Sequence, residues 1–169
     1  MWFGKNLYDL YEVASTPWEW HSTLMKKAKE LGILCFSSPF DESAVDFLED
    51  LNVPAYKIAS FENNHLPLIR KVASTKKPLI ISTGMASIGD IEMAVNTARD
   101  AGAKHIALLK CTSSYPASPI DTNLSTIPHL KKMFNCQIGL SDHTKGIGVS
   151  VGAVAMGAKK NKKHFTLDR

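Results

Sequence analysis

Polar and ionisable side chains recur at the ends of short apolar runs, as if lining the rim of one cavity. GILCFSS ends in Ser37 and Ser38, with Asp41 just beyond. AYKIAS carries Lys57 in its interior and Ser60 at its end, and Glu62 follows. PLIIST ends in Ser82 and Thr83 before Gly84; HIALLKCT holds Lys110 and leads to Ser113 and Tyr115. CQIGLS ends at Ser141, with Asp142, His143 and Thr144 next, and the final run reaches His164. A lysine inside an apolar strand is costly unless it is paired or faces a wet site. Hydroxyls and lysines that converge suit a phosphate or carboxylate anion. Two histidines from consecutive runs, completed by carboxylate or water oxygens, suit a divalent metal. The bland readings are a helix cap for any one Ser, a structural role for any one His, and a Lys57–Glu62 core ion pair. Repetition at successive run ends is what capping alone does not explain. His21, His65, His105 and His129 fall on helices or loops and read as surface or packing residues.

The elements that must position these groups follow from the spacing. The apolar runs begin 23–31 residues apart, the length of one strand–helix unit, and a sixth, weak run lies in the lysine-rich tail. Near-continuous apolar character points to parallel strands covered on both faces. Between them lie helical patterns. TPWEWHSTLMKKAKELG is expected to start at Thr16 as N-cap with Pro17 first in the helix, Glu19 closing a capping box, and to stop at Gly32. DESAVDFLEDL places Ala44, Phe47, Leu48 and Leu51 on one stripe. SIGDIEMAVNTARDAGA opens with a Ser87–Asp90 capping box, and LSTIPHLKKMF is expected to be helical only after Pro128. GIGVSVGAVAMGA reads as a helix packed on a sheet. No linker or domain boundary is evident. Such units build an open doubly wound sheet or a (β/α)8 barrel. Reactive groups at nearly every strand end, and no Gly-x-Gly-x-x-Gly opening a helix, favour the barrel.

Composition excludes several classes. The chain has 169 residues, 44% hydrophobic and 21% charged, as a globular domain should. No run approaches the ~18 apolar residues of a membrane span, and the start does not resemble a signal peptide. Cys35, Cys111 and Cys136 are widely spaced and read as reduced thiols of a cytoplasmic protein. The net charge of +4 lies entirely in residues 159–169, so the rest is balanced and offers no footprint for nucleic acid.

Taken together, LYDLYEVASTPWEWH, FSSPFDESAVDFLE, PAYKIASFE, LIISTGMAS, LLKCTSSYPASP, IGLSDHTKGIGV and KHFTLDR resemble the sialic acid synthase family along essentially the whole chain. LYDLY…TPWEWH is similar to its pseudaminic branch. The resemblance implies a (β/α)8 TIM-type barrel. This chain would be an incomplete piece of it, residues 1–169 supplying about six strands, the third to the eighth. The first two strands and a C-terminal antifreeze-like domain would be absent. It further implies a transferase that condenses phosphoenolpyruvate with an open-chain diacetamido-trideoxy hexose, giving a nine-carbon 2-keto sugar acid and phosphate. The implied cofactor is a divalent metal, Mn2+ before Mg2+ or Co2+, and the implied assembly of the full-length family is a homodimer. By position, His143 and His164 match metal-binding, catalytic histidines, and Glu62 a catalytic carboxylate. Lys57, Ser60, Ser82, Ser141 and Ser38 match phosphoenolpyruvate contacts. Ser113 and Tyr115 lie where the sugar is bound.

One departure concerns the tail. Where the family's last strand reads like Val-Ile-Glu-Lys-His, this chain has Lys160, Asn161 and Lys162 before Lys163 and His164. The expectation is damage to a buried strand, several kcal/mol for each unpartnered lysine by order of magnitude, and repulsion of a metal near His164. Because its first two strands would be absent, the isolated chain is expected to have little or no activity. The alternatives are an N-acetylneuraminate or legionaminate branch enzyme, another phosphoenolpyruvate-using barrel with a phosphorylated acceptor, and a non-catalytic remnant of a broken synthase gene.

Overall fold

The computed structural model describes residues 6–167. Residues 1–5 and the last two residues of KHFTLDR, Asp168 and Arg169, lie outside them. The chain divides into two compact units, residues 1–35 and 36–169. The continuous composition gives no sign of that division.

The first unit carries α1 (Leu7–Ala14) and α2 (Trp18–Glu30). Asn6 caps α1 by accepting the Tyr8 amide on its side chain at 2.9 Å. The expected capping box at Thr16 is not made: Pro17 itself is the N-cap of α2, with no side-chain cap bond. Proline's fixed φ and extended ψ suit the residue just outside the helix. The stop at Gly32 is as expected, with φ +70°.

The second unit is a five-stranded parallel sheet ordered as in the chain: β1 (Tyr56–Ile58), β2 (Leu79–Ser82), β3 (Ile106–Cys111), β4 (Gln137–Asp142) and β5 (Asn161–Lys163). It curls into part of a barrel. Five helices alternate with the strands: α3 (Glu42–Asp50), α4 (Leu66–Ser74), α5 (Ile88–Asp100), α6 (Thr126–Phe134) and α7 (Gly148–Ala155), α3 preceding β1. Successive buried residues in β3 and β4 confirm a sheet covered on both faces. Tyr56, Ile58, Leu79, Ile81, Leu108, Ile138 and Leu140 form its core. Each large apolar side chain buried there is worth ~1.5–3 kcal/mol. Among the described residues no helix is long and apolar enough to cross a membrane.

Four expectations are corrected. GILCFSS forms no strand. A strand needs a hydrogen-bonded neighbour, and among the described residues no ladder continues the sheet beyond β1, while Ile33 and Leu34 are exposed. The buried stripe of α3 is centred on Val45 and Leu48. Helix α6 runs through Pro128, because the first turn of a helix has no intrahelical use for its N–H groups. The lysine-rich run is not buried in this structure: Asn161 and Lys163 are exposed on the outermost strand of the described sheet, Lys160 precedes them in the open, and only Lys162 is half-buried.

Candidate functional site

The pleat decides which residues can meet. Side chains alternate between faces along a strand, and register partners share a face. The ladders pair Cys111 with Ser141 and Ser141 with Lys162. Counting in twos along the ladders puts Lys57, Ser82, Cys111, Ser141 and Lys162 on the inner, concave face. Lys110 pairs in register with Leu140 and so falls on the helix-covered face. Its ammonium donates to Thr112 Oγ1 at 2.8 Å. The expected convergence of Lys57 and Lys110 in one cavity is therefore not made.

At the end of β1 the chain turns through a short 3-10 helix, Ser60–Glu62. The Gly84 amide donates to Ser60 Oγ at 3.2 Å, and Asn63 Nδ2 donates to the carbonyls of Ser82 (3.4 Å) and Gly84 (3.2 Å). A Cβ on Gly84 would run into Ser113 Oγ and lie 2.7 Å from Ser60 Oγ, so only glycine lets the ends of β1, β2 and β3 close this tightly. The sequence reading missed Asn63 as the tie between two strand ends. An asparagine soon after a strand is its only local trace.

Two buried atoms here have no hydrogen-bond partner among the described residues: Ser82 Oγ and Glu62 Oε2. Buried polar atoms are satisfied as a rule, so an exception at a strand end points to a ligand. Burial raises the Glu62 carboxyl above its ordinary range, with Lys57 pulling the other way. Burial lowers the Lys57 ammonium, and Lys162 lowers it further. Lys57 enters from one edge strand and Lys162 from the other, so their mutual influence reflects the curl of the sheet.

The histidines lie at the far end of the same face. His143 donates Nδ1–H to the Thr112 carbonyl at 3.0 Å, which leaves Nε2 with its lone pair, 3.4 Å from Ser141 Oγ. The Tyr115 ring lies 4.2 Å from the His143 ring and 5.9 Å from His164, and the two imidazoles are 5.3 Å apart. Burial lowers both imidazoles, with Lys162 adding to the effect on each. Ser60, Glu62, Ser82, Ser113, Tyr115, Ser141, His143 and His164 thus gather at the strand ends with Lys57. Ser38 does not join them through any hydrogen bond among the described residues; it is half-buried in the stretch leading to α3.

His143 has the tautomer of a metal ligand, since its second nitrogen is held by a carbonyl. His164 does not match it. Its Nε2 faces Lys162 Nζ at 3.5 Å, so an ammonium meets the lone pair that a metal needs. Among the described residues no group of three or more His, Cys, Asp or Glu is placed to hold a metal ion. As it stands, the donor set does not fit a divalent cation.

On the helix-covered side, Asp142 accepts from Lys163 Nζ (2.7 Å), Ser150 Oγ (2.7 Å) and the amide and hydroxyl of Thr144 (2.8 and 2.7 Å). Burial alone would raise the Asp142 carboxyl, but these bonds outweigh it and hold it at about 2.

Similarity to known proteins agrees with the fold. The family model described as "NeuB family" matches residues 1–169. The pseudaminic acid synthase of Campylobacter jejuni is 46% identical over 169 residues, covering all of this chain and 49% of that protein. The N,N'-diacetyllegionaminic acid synthase of the same organism is 45% identical over 151 residues, 88% of this chain and 45% of that protein. The chain thus spans about half the length of the curated relatives it matches. The crystal structure of an N-acetylneuraminic acid synthetase from Leptospira borgpetersenii, in complex with citrate, superposes with a TM-score of 0.92 at 36% identity. That match covers 98% of this chain and 59% of the other. The chain belongs to the NeuB family.

Proposed function

We propose that this chain supplies the phosphoenolpyruvate-binding half of a nonulosonic acid synthase of the pseudaminic type. The observation that carries the reading is the buried Ser82 hydroxyl, unpartnered on the same concave face as the Lys57 ammonium. A phosphate satisfies both. Ser141 and the Ser60 hydroxyl, which accepts from the Gly84 amide and keeps its own proton to give, are the further donors at hand. Family membership and the likeness to pseudaminic acid synthases support the choice of reaction.

In the proposed reaction, carbon 3 of phosphoenolpyruvate forms a bond to the aldehyde carbon of an open-chain diacetamido-trideoxy hexose. Water then adds its hydroxyl to the cationic carbon 2, and its proton ends on the former aldehyde oxygen. The carbon 2–oxygen bond to phosphate breaks as the new hydroxyl gives up its proton, leaving a 2-keto acid and inorganic phosphate. The protein's part is to hold the two reactants in attack geometry and to match the phosphate charge with Lys57. Glu62, whose carboxyl is raised by burial, is placed to carry the proton between water and the aldehyde oxygen. Ser113 and Tyr115 are the proposed sugar contacts. No step is assigned to a metal. A homodimeric assembly and a cytoplasmic site of action belong to the same proposal.

Calorimetric titration of the chain with phosphoenolpyruvate tests the reading. Binding is expected, and Lys57→Ala should weaken it by about tenfold or more, the loss of one charge-assisted contact. Phosphate release with the pseudaminic, legionaminic and neuraminic acceptor sugars then sorts the branches. No phosphoenolpyruvate binding, or binding indifferent to Lys57, would reject the assignment.

A further inference from the structure

Lys162 lies on the concave face, in register with Ser141, and its ammonium points toward His164 Nε2 at 3.5 Å. Lys57 reaches the same face from the opposite edge of the sheet. Four ion pairs occur among the described residues, and they engage Lys27, Lys71, Lys77 and Lys163. Neither Lys57 nor Lys162 is in one. Two unpaired ammoniums that repel each other across a concave surface call for an anion between them. The unpartnered Ser82 hydroxyl belongs to the same surface.

We propose that the Lys162 ammonium stands where a divalent cation would otherwise sit, so that this site takes a phosphate- or carboxylate-bearing ligand between Lys57 and Lys162 with no metal required. The geometry supports the replacement in two ways. A metal on the His143–His164 pair must displace Lys162 from the His164 lone pair. It must then tolerate that ammonium as an immediate neighbour, with no third His, Cys, Asp or Glu donor to offset it among the described residues. An ammonium also supplies positive charge and a hydrogen-bond donor to an anion or a carbonyl oxygen, although as a weaker polarising group than a dication. The inference rests on the preceding section only for the identity of the ligand, since the charge arrangement holds for any small phosphate or carboxylate.

The test uses the whole 169-residue chain with Lys162→Gln and Lys162→Glu, each checked for its fold by circular dichroism. Manganese binding is read from the resonance signal of free Mn2+, and anion binding by calorimetry with phosphoenolpyruvate and with inorganic phosphate, with and without EDTA. The parent chain is expected to leave Mn2+ free and to bind anion equally well with EDTA. Lys162→Gln should weaken anion binding roughly tenfold, and Lys162→Glu should gain Mn2+ binding. Stoichiometric Mn2+ binding by the parent chain that His143→Ala removes would overturn the inference. So would anion binding abolished by EDTA or unchanged in Lys162→Gln. Phosphate bound without phosphoenolpyruvate removes the substrate assigned above and leaves this inference standing; binding of neither anion overturns it.

Discussion

Lys162 and Lys163 stand side by side on β5 and face opposite sides of the sheet. Lys163 meets a prepared partner: its ammonium donates at 2.7 Å both to the Asp142 carboxylate and to the Thr144 carbonyl. Asp142 in turn accepts from three groups besides Lys163, so the charge is neutralised and its lone pairs are used. Among the described residues Lys162 has an imidazole at 3.5 Å and is in no ion pair. The same residue type, one position apart, is a buckle between β4, β5 and α7 on one face and an open charge on the other. A basic run in a strand is therefore not one patch but two interleaved sets, and only one set can touch a ligand.

That contrast breaks most visibly on the paired side. Lys163→Ala leaves the Asp142 carboxylate, fully shielded from solvent, without its cation. Removing one partner of a buried pair costs several kcal/mol; with Lys163 itself 32% exposed, the loss is expected at the low end, about 3 kcal/mol. Urea unfolding measures it, and a loss below about 1 kcal/mol would mean that the pair is ornamental.

The same pair sets an acid limit. The folded Asp142 carboxyl titrates at about 2, below its ordinary 3.8. A depressed carboxylate stabilises the fold above its unfolded value, and that contribution is lost as the pH falls from 4 through 2. The shift corresponds to about 2 kcal/mol. Unfolding free energies measured at pH 5 and pH 2.5 should show a drop that Asp142→Asn largely removes. An equal drop in that variant would move the acid sensitivity elsewhere.

The difference between the two lysines was not legible in the sequence, whereas the strands that carry most of the site were. AYKIAS, PLIIST, HIALLKCT and CQIGLS all contain strands, because a parallel sheet buried on both faces needs unbroken apolar runs. GILCFSS has the same composition and no ladder, since pairing depends on a neighbour that composition does not reveal. Lys57 and Lys110 read alike as strand lysines, but facing is a matter of register between strands, which no single run contains. Asn63 and Gly84 tie β1 to β2 across 21 residues, a contact with no local pattern. That the two imidazoles come close, at 5.3 Å, was legible because both follow strands, and the Lys162 contact with His164 needed only the alternation of two within LysLysHis.

The smallest effect is the most discriminating. Lys162→Gln removes an ammonium that is half-exposed and, among the described residues, paired with no acid, so it strands no buried charge there. Its thermodynamic stability should stay within about 0.5 kcal/mol of the parent chain, as for surface changes in general. Relief of repulsion with Lys57, which Lys162 disfavours as a cation, should make any change a slight gain. Parallel urea curves for Lys162→Gln and Lys163→Ala therefore separate the two faces directly. Equal destabilisation would show that Lys162 supports the strand as Lys163 does. A neutral Lys162→Gln beside a costly Lys163→Ala would show that the inner lysine is kept for what it binds.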